Sequence, residues 1–229
     1  SISIGDRVSA QVESDARAGT ANNHSATHLL HAALREVLGD HVQQRGSLVD
    51  PDRLRFDFGH QQALSEEELD RVEDLVNRQV RANHKVVTEV MSINKARARG
   101  AVALFGEKYD DEVRVVEMGG YSMELCGGTH VARTGDIGNV RLVSESGIAS
   151  GVRRIEALTG EAARLHTARN EVVLRRLGVQ FRTGTDELEA KALEYIDRID
   201  KLEIRWPSGQ VDVLNDLPIN RHVRVREGE

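Results

Sequence analysis

The sequence predicts an α+β fold: an antiparallel sheet with helices packed on it, then a helical, coiled-coil-like stretch and a short β-rich tail. Three observations lead there. Apolar residues recur at helical spacing early in the chain, at Leu30, Leu34 and Leu38 and again at Leu69, Val72, Val76 and Val80. From 112 to 158 the text turns strand-like and glycine-punctuated: "EVRVVEMG", "YSMEL", "NVRLVSES", "GVRRIEAL". Beyond 186, Leu188, Ala192, Tyr195, Ile199 and Leu202 follow a 4-3-4-3 spacing, the seam of a short coiled coil. Helices that share a domain with an antiparallel sheet make an α+β core.

Taken in order, residues 2 to 13 alternate loosely and read as a strand, and "SDARAGTANN" as a turn-rich connector. Asn22 or Asn23 caps the first helix and Gly39 ends it. In "RGSLVDPDRLRFDFGH", Asp50-Pro51 makes a turn between two short strands. Ser65 and Glu68 form the capping box of the next helix. "HKVVTEVMS" is a strand, and "NKARARGAVALFG" a short helix and a loop. Residues 161 to 177 read as helix, broken at Gly178 before the coil, and "RWPSGQVDVLNDLPINRHVRVREGE" as two short strands around turns. This gives four segments: 1–20, a central 21–160 domain, a helical 161–203 and a tail at 204–229.

The 229 residues suffice for one large domain with appendages. No apolar run approaches the ~20 residues of a membrane span, so no membrane partner is expected. The N-terminus lacks the regions of a signal peptide. It also begins without methionine, as an excised fragment would. One cysteine, Cys126, cannot form an internal disulfide, which makes a reducing cytoplasm the expected compartment. The net charge of −6 argues against a general nucleic-acid binder. Residues 186 to 203 hold seven acids and three bases, however, so the rest of the chain is close to neutral and a local basic surface is open to it.

Two short stretches carry chemistry. In "NHSATHLLHAALREVLGDH", His24 and His28 lie one turn apart, on the same helix face. In "ELCGGTHVARTGD", Cys126 precedes His130 by four residues across Gly127 and Gly128, where backbone angles closed to other residues would fold the two ligands toward one point. Three imidazoles and a thiolate are an N/S set that suits zinc. The plain alternatives are a solvated His pair and a small buried Cys used for packing. His31 lies on the same helix, about 60° off the line of His28, and reads as structural.

The paired HxxxH and CxxxH, in these contexts, resemble the editing domain of alanyl-tRNA synthetase and the free-standing alanyl-tRNA editing proteins. The resemblance runs on through "HVQQRGSLVDPDRLRFDFGH", "VEDLVNRQVRAN", "ARARGAVALFGEKYDDEVRVVEMG" and "ESGIASGVRRIEALTG", covering roughly residues 5 to 203. It implies a Zn²⁺ site at His24, His28, Cys126 and His130, and an amino-acid pocket lined by Thr27, Gln44 and Ser47. It also implies hydrolysis of mischarged Ser-tRNA-Ala and Gly-tRNA-Ala at the terminal adenosine ester, because pocket size alone discriminates poorly among small side chains. A Gln and two hydroxyls suit a seryl hydroxyl, since each can donate and accept; capping or turn roles are their plain alternative. Arg153 and Arg154 are candidate contacts to tRNA phosphate, unless one of them simply pairs Glu156. Four protein ligands would close a tetrahedral site, so catalysis through the metal would need a fifth position or ligand exchange.

Some features depart from that family. The aminoacylation domain is absent, so no charging of tRNA is expected, and the resemblance implies that residues 1–20 are only the remnant of the small N-terminal β-domain that precedes the first helix in that family. From Ile204 the chain instead resembles the short segment of the ASPIC/UnbV type, with "RWPSG" its distinctive part. Other readings are a non-catalytic, zinc-stabilised tRNA-binding or dimerisation module, with a second copy docking through 186–203, and an unrelated zinc hydrolase. The lack of HExxH counts against a metalloprotease.

Overall fold

The computed structural model describes residues 3–103, 109–196, 199–217 and 226–227. The chain divides into two compact units, Ser1–His166 and Thr167–Glu229. The first unit is α+β, with two antiparallel sheets in the orders β1-β2-β7-β6 and β3-β4-β5. The elements are α1 (Ser14–Leu38), β1 (Gln44–Val49), β2 (Leu54–Gly59), α2 (Glu66–Ala82), β3 (Val86–Ser92), α3 (Ile93–Ala98), β4 (Glu112–Met118), β5 (Ser122–Leu125), β6 (Val140–Ala149) and β7 (Val152–Thr159).

Helix α1 buries Leu29, Leu30, Ala33 and Leu34 against Phe56 and Phe58 of β2, Ile155 and Ala157 of β7, and Val72, Val76 and Val80 of α2. Each fully buried Leu or Phe contributes about 1.5–3 kcal/mol. The capping box of α2 is present in both directions: Glu68 N donates to Ser65 Oγ at 3.2 Å, and Ser65 N to the Glu68 carboxylate at 2.8 Å. Asn83 closes α2 in the left-handed region, at φ 52°.

Three sequence expectations need correction here. Helix α1 starts at Ser14, not at Asn22 or Asn23. The stretch read as a connector is alanine-rich enough to be helical. Its glycine, Gly19, marks a close approach, since a Cβ there would stand 2.6 Å from the Pro51 carbonyl oxygen. Asn23 is no cap either. It is 1% exposed and works as a strut: Nδ2 donates to Asp50 O at 2.8 Å, and Oδ1 accepts from Thr159 Oγ1 at 2.8 Å. The strand over 2 to 13 is also not formed among the described residues, where 3–13 carry no strand and Ile4, Val8 and Val12 are exposed.

The second unit holds most of α4 (Gly160–Phe181), then α5 (Leu188–Ile196) and a hairpin of β8 (Ile199–Arg205) and β9 (Val211–Leu217). Helix α4 runs through Gly178, whose carbonyl instead accepts from Thr183 N at 3.0 Å as the helix ends. The coiled-coil seam is cut short. Leu188 and Tyr195 lie on α5, whereas Ile199 and Leu202 lie on β8, where residues three apart fall on opposite faces, so the seam does not continue past Ile196. Leu188 is buried; Leu193, Tyr195 and Leu202 are exposed. Dimerisation through 186–203 therefore has no helical seam to rest on. "RWPSG" makes the hairpin turn: Gly209 N donates to Trp206 O at 3.0 Å, and Trp206 Nε1 to Asp212 Oδ2 at 2.7 Å. Among the described residues no helix is long and apolar enough to cross a membrane.

Asn23→Ala is expected to destabilise the chain by about 2–3 kcal/mol, because it strands the Asp50 carbonyl and the Thr159 hydroxyl in the interior. Urea unfolding checks this, and an unchanged midpoint would show that the strut carries no stability.

Candidate metal centre

Helix α1 and the loop after β5 bring His24, His28, Cys126 and His130 together, although 102 residues separate His24 from Cys126. One ligand atom from each lies within 4.8 Å of all the others. Cys126 Sγ stands 3.4 Å from His24 Nε2 and 3.3 Å from His130 Nε2. The three imidazole centroids are 4.4–5.1 Å apart. His28 is 7% exposed and the other three are half-buried, so the cluster is open on the side of His24 and Cys126.

Groups behind the cluster fix how its imidazoles face. Glu124, on β5, is 5% exposed and accepts from His28 Nδ1 at 2.7 Å and from His31 Nδ1 at 2.9 Å. His28 thereby presents Nε2 to the cluster, and that atom is buried with no hydrogen-bond partner. A carboxylate–imidazole–metal chain has this arrangement. His130 Nδ1 faces Ser25 Oγ at 3.2 Å, which also accepts from Val131 N at 3.1 Å, leaving His130 Nε2 for the cluster. An unpartnered buried nitrogen and an N/S donor set both fit a bound metal ion.

The loop is held from below. Arg114 on β4 donates from Nη1 to Cys126 O and to Gly128 O, each at 2.7 Å. Gly128 is a glycine because of space rather than backbone angle: a Cβ there would lie 2.1 Å from His24 Cε1, while neither Gly127 nor Gly128 has a positive φ.

Electrostatics prepare two of the candidate ligands. Burial alone would raise the Cys126 thiol, but its contacts with the His130 and His24 imidazoles, with the charge of His28 beside it, pull it down to about 3. Burial disfavours a charged His28, yet the Glu124 carboxylate prevails and holds its proton well above the usual imidazole range. Burial opposes ionisation of Glu124 in turn, and His28 and His31 hold it well below the usual carboxylate range.

The other sequence-predicted residues fall as follows. Thr27, between the two helical ligands, is buried, and its Oγ1 donates to Asn23 O at 2.8 Å. A β-bulge at Arg45 pairs Gln44 with Phe58 and Ser47 with Phe56, so residues three apart share one face, and Gln44 Nε2 lies 3.4 Å from Ser47 Oγ. Gln44 also lines a cavity of about 100 Å³ with His31, Arg35 and Val42. Arg154 is bidentate on Asp57, directly opposite it on β2, at 2.7 and 2.9 Å. Arg153 is bidentate on Glu145 of β6 at 2.5 Å. Glu156, the expected partner of one of them, lies 3.5 Å from Arg53 instead. Glu124, Ser25 and Arg114 were not legible as site residues. The signal for Glu124 is its place two before Cys126, near the end of β5.

Two outcomes test this geometry. Gly128→Ala is expected to push the His24 ring away and lower metal occupancy, read by elemental analysis; full occupancy would show that the loop gives way. Metal affinity is expected to rise with pH across the neutral range, because the ion displaces the His28 proton while Cys126 is already a thiolate. Calorimetry in buffers of different ionisation enthalpy should count about one released proton. None released would show that His28 is already neutral, with only its Nδ1 protonated toward Glu124.

Residues 113–156, which contain Cys126 and His130, match the family described as the second additional domain of threonyl- and alanyl-tRNA synthetases. Residues 192–229 match ASPIC and UnbV, a weaker likeness that spans the β8–β9 hairpin. The chain is 55% identical to the alanine–tRNA ligase of Nitrosomonas eutropha over 87% of its own length and 23% of the ligase. It is 61% identical to that of Nitrosomonas europaea over 77% of this chain and 20% of the ligase. The ligase of Shewanella loihica is 53% identical over 89% of this chain and 23% of the ligase. The chain thus spans under a quarter of the length of these relatives. With the two paired motifs converging as described, and that identity running along most of the sequence, the chain belongs to the alanyl-tRNA synthetase editing-domain family.

Proposed function

We propose that this chain is a zinc-dependent deacylase that removes serine or glycine wrongly esterified to the terminal adenosine of tRNA-Ala, with residues 21–160 as the editing unit. The observation that carries the reading is the convergence of His24, His28, Cys126 and His130 within 4.8 Å, open on one side, in a chain akin to alanine–tRNA ligases.

Three nitrogens and one sulfur favour Zn²⁺ over the hard, oxygen-seeking cations. Bound there, Zn²⁺ would supply positive charge for orienting an ester or amino-acid group beside the ligands. The chain's own residues do the rest. Glu124 keeps the His28 Nδ1 proton in place, so that Nε2 faces inward. Gln44 and Ser47, brought to one face by the bulge, offer an amide and a hydroxyl to a seryl Oγ. Thr27 keeps its oxygen lone pairs available while its proton is held by Asn23 O. Water adds to the ester carbonyl, the carbon–oxygen bond to the ribose breaks, and the free amino acid and the terminal hydroxyl result. Arg153 and Arg154 could reach phosphate only by giving up their carboxylate partners, which makes them poorer candidates for tRNA contact than their sequence alone indicates.

The purified chain is expected to deacylate Ser-tRNA-Ala and spare Ala-tRNA-Ala. Cys126→Ala is expected to weaken zinc binding and abolish most of the activity, since three His remain but the thiolate charge is lost. Zinc-loaded wild-type protein inactive on both substrates would favour a non-catalytic tRNA-binding module instead. A Cys126→Ala protein with wild-type rate would show that the thiolate serves packing alone.

A further inference from the structure

This inference rests on the deacylase reading, in which a nucleic-acid end must reach the cluster. His28 is sealed behind by Glu124, and His130 by Ser25, so entry is from the side of His24 and the Cys126–Thr129 loop. Two surface clefts flank that loop. One, of about 230 Å³, lies beside Cys126 and Gly127 and carries two carboxylates, Asp110 and Glu112; its arginine, Arg114, is already bonded to the loop carbonyls. A phosphate is repelled there. The other, of about 300 Å³, lies between Thr129 and the first turns of α1, lined by Val12, Glu13, Ala16, Arg17 and Thr20.

On α1, Arg17 lies seven residues before His24, and Thr20 four before it, so both share the ligand face of the helix. The rise from Arg17 to His24 is about 10 Å, two helical turns. Arg17 is exposed, and among the described residues its guanidinium has no carboxylate partner. Glu13 stands one further turn from the cluster, so the charge nearer the ligands on this track is positive. Asp15, the other acid of the first turn, lies on the opposite face of the helix, nine residues from His24.

We propose that the cleft between Thr129 and the N-terminal turns of α1 receives the sugar–phosphate backbone of the esterified end, and that Arg17 contacts the phosphodiester next to the reacting ester. An aminoacyl ester on a terminal ribose has its nearest phosphate on the 5′ side of that ribose. With the ester at the cluster, that phosphate runs out along α1, within reach of the long arginine side chain. Arg17 takes the part for which Arg153 and Arg154, tied to Glu145 and Asp57, are ill placed.

The test compares two substrates: seryl-tRNA-Ala, which carries the phosphate, and 3′-O-seryl-adenosine, which lacks it. Arg17→Ala is expected to raise KM for the tRNA about tenfold, in line with loss of one charged hydrogen bond. It should also lower the salt dependence by about one ion and leave hydrolysis of seryl-adenosine unchanged. Arg17→Lys should restore part of the loss through its point charge. Equal effects on both substrates, or no effect on either, with wild-type protein active on both, overturn the phosphate contact and leave the deacylase reading standing. Wild-type protein inactive on both esters overturns the deacylase reading and this inference with it.

Discussion

The buried carboxylate of Glu124 is the constraint on which the rest of the site depends. An ionised group in the interior costs several kcal/mol unless it is paired. Here it is paired twice, to His28 and His31, one turn apart on α1. That double pairing joins β5 to α1, and so the second sheet to the helix on which the first sheet packs. It also decides which nitrogen of His28 faces the cluster. One interaction thus sets a tertiary contact, a tautomer and the direction of a ligand. Truncating the carboxylate would leave two buried imidazoles without an acceptor, so its influence reaches both the packing and the chemistry.

Much of this was legible beforehand. Four-residue spacing on a helix has one geometric meaning, so His24 and His28 are neighbours in any fold that keeps α1. The capping box at Ser65 and the Asp50-Pro51 turn are local, and both were readable. Long-range partners were not. Nothing in the sequence tells that Asn23 reaches Asp50 and Thr159, or that Arg154 meets Asp57 across two strands. A stretch with one glycine and a closing Asn pair reads as a connector when Gly19 is judged by propensity, whereas the real role of Gly19 is to admit the Pro51 carbonyl.

The same limit explains the misread coil. A 4-3-4-3 run over two heptads is short enough for a helix followed by a strand to imitate it, and α5 with β8 does so. His31 is the converse case: its 60° offset from the ligand line correctly removes it from the cluster, yet the offset points it at the other oxygen of Glu124. A residue off the functional face can still act through a shared partner. The bulge at Arg45 is a third device invisible to simple alternation, since it turns Gln44 and Ser47, otherwise on opposite faces, toward the same side.

The distance in sequence between the two halves of the cluster bears on how the protein is made. His24 leaves the ribosome 102 residues ahead of Cys126. At typical elongation rates that is roughly 5–20 s of synthesis. During that interval α1 carries an exposed imidazole pair with no thiolate, no Glu124 behind it and no core to cover its apolar face. The cluster is therefore assembled late in biogenesis, only after β4 and β5 have emerged and Arg114 has clamped the loop that carries Cys126. A nascent chain stalled before residue 126 holds only half of the cluster, so any ion that needs all four side chains must arrive after translation of this region, not during it.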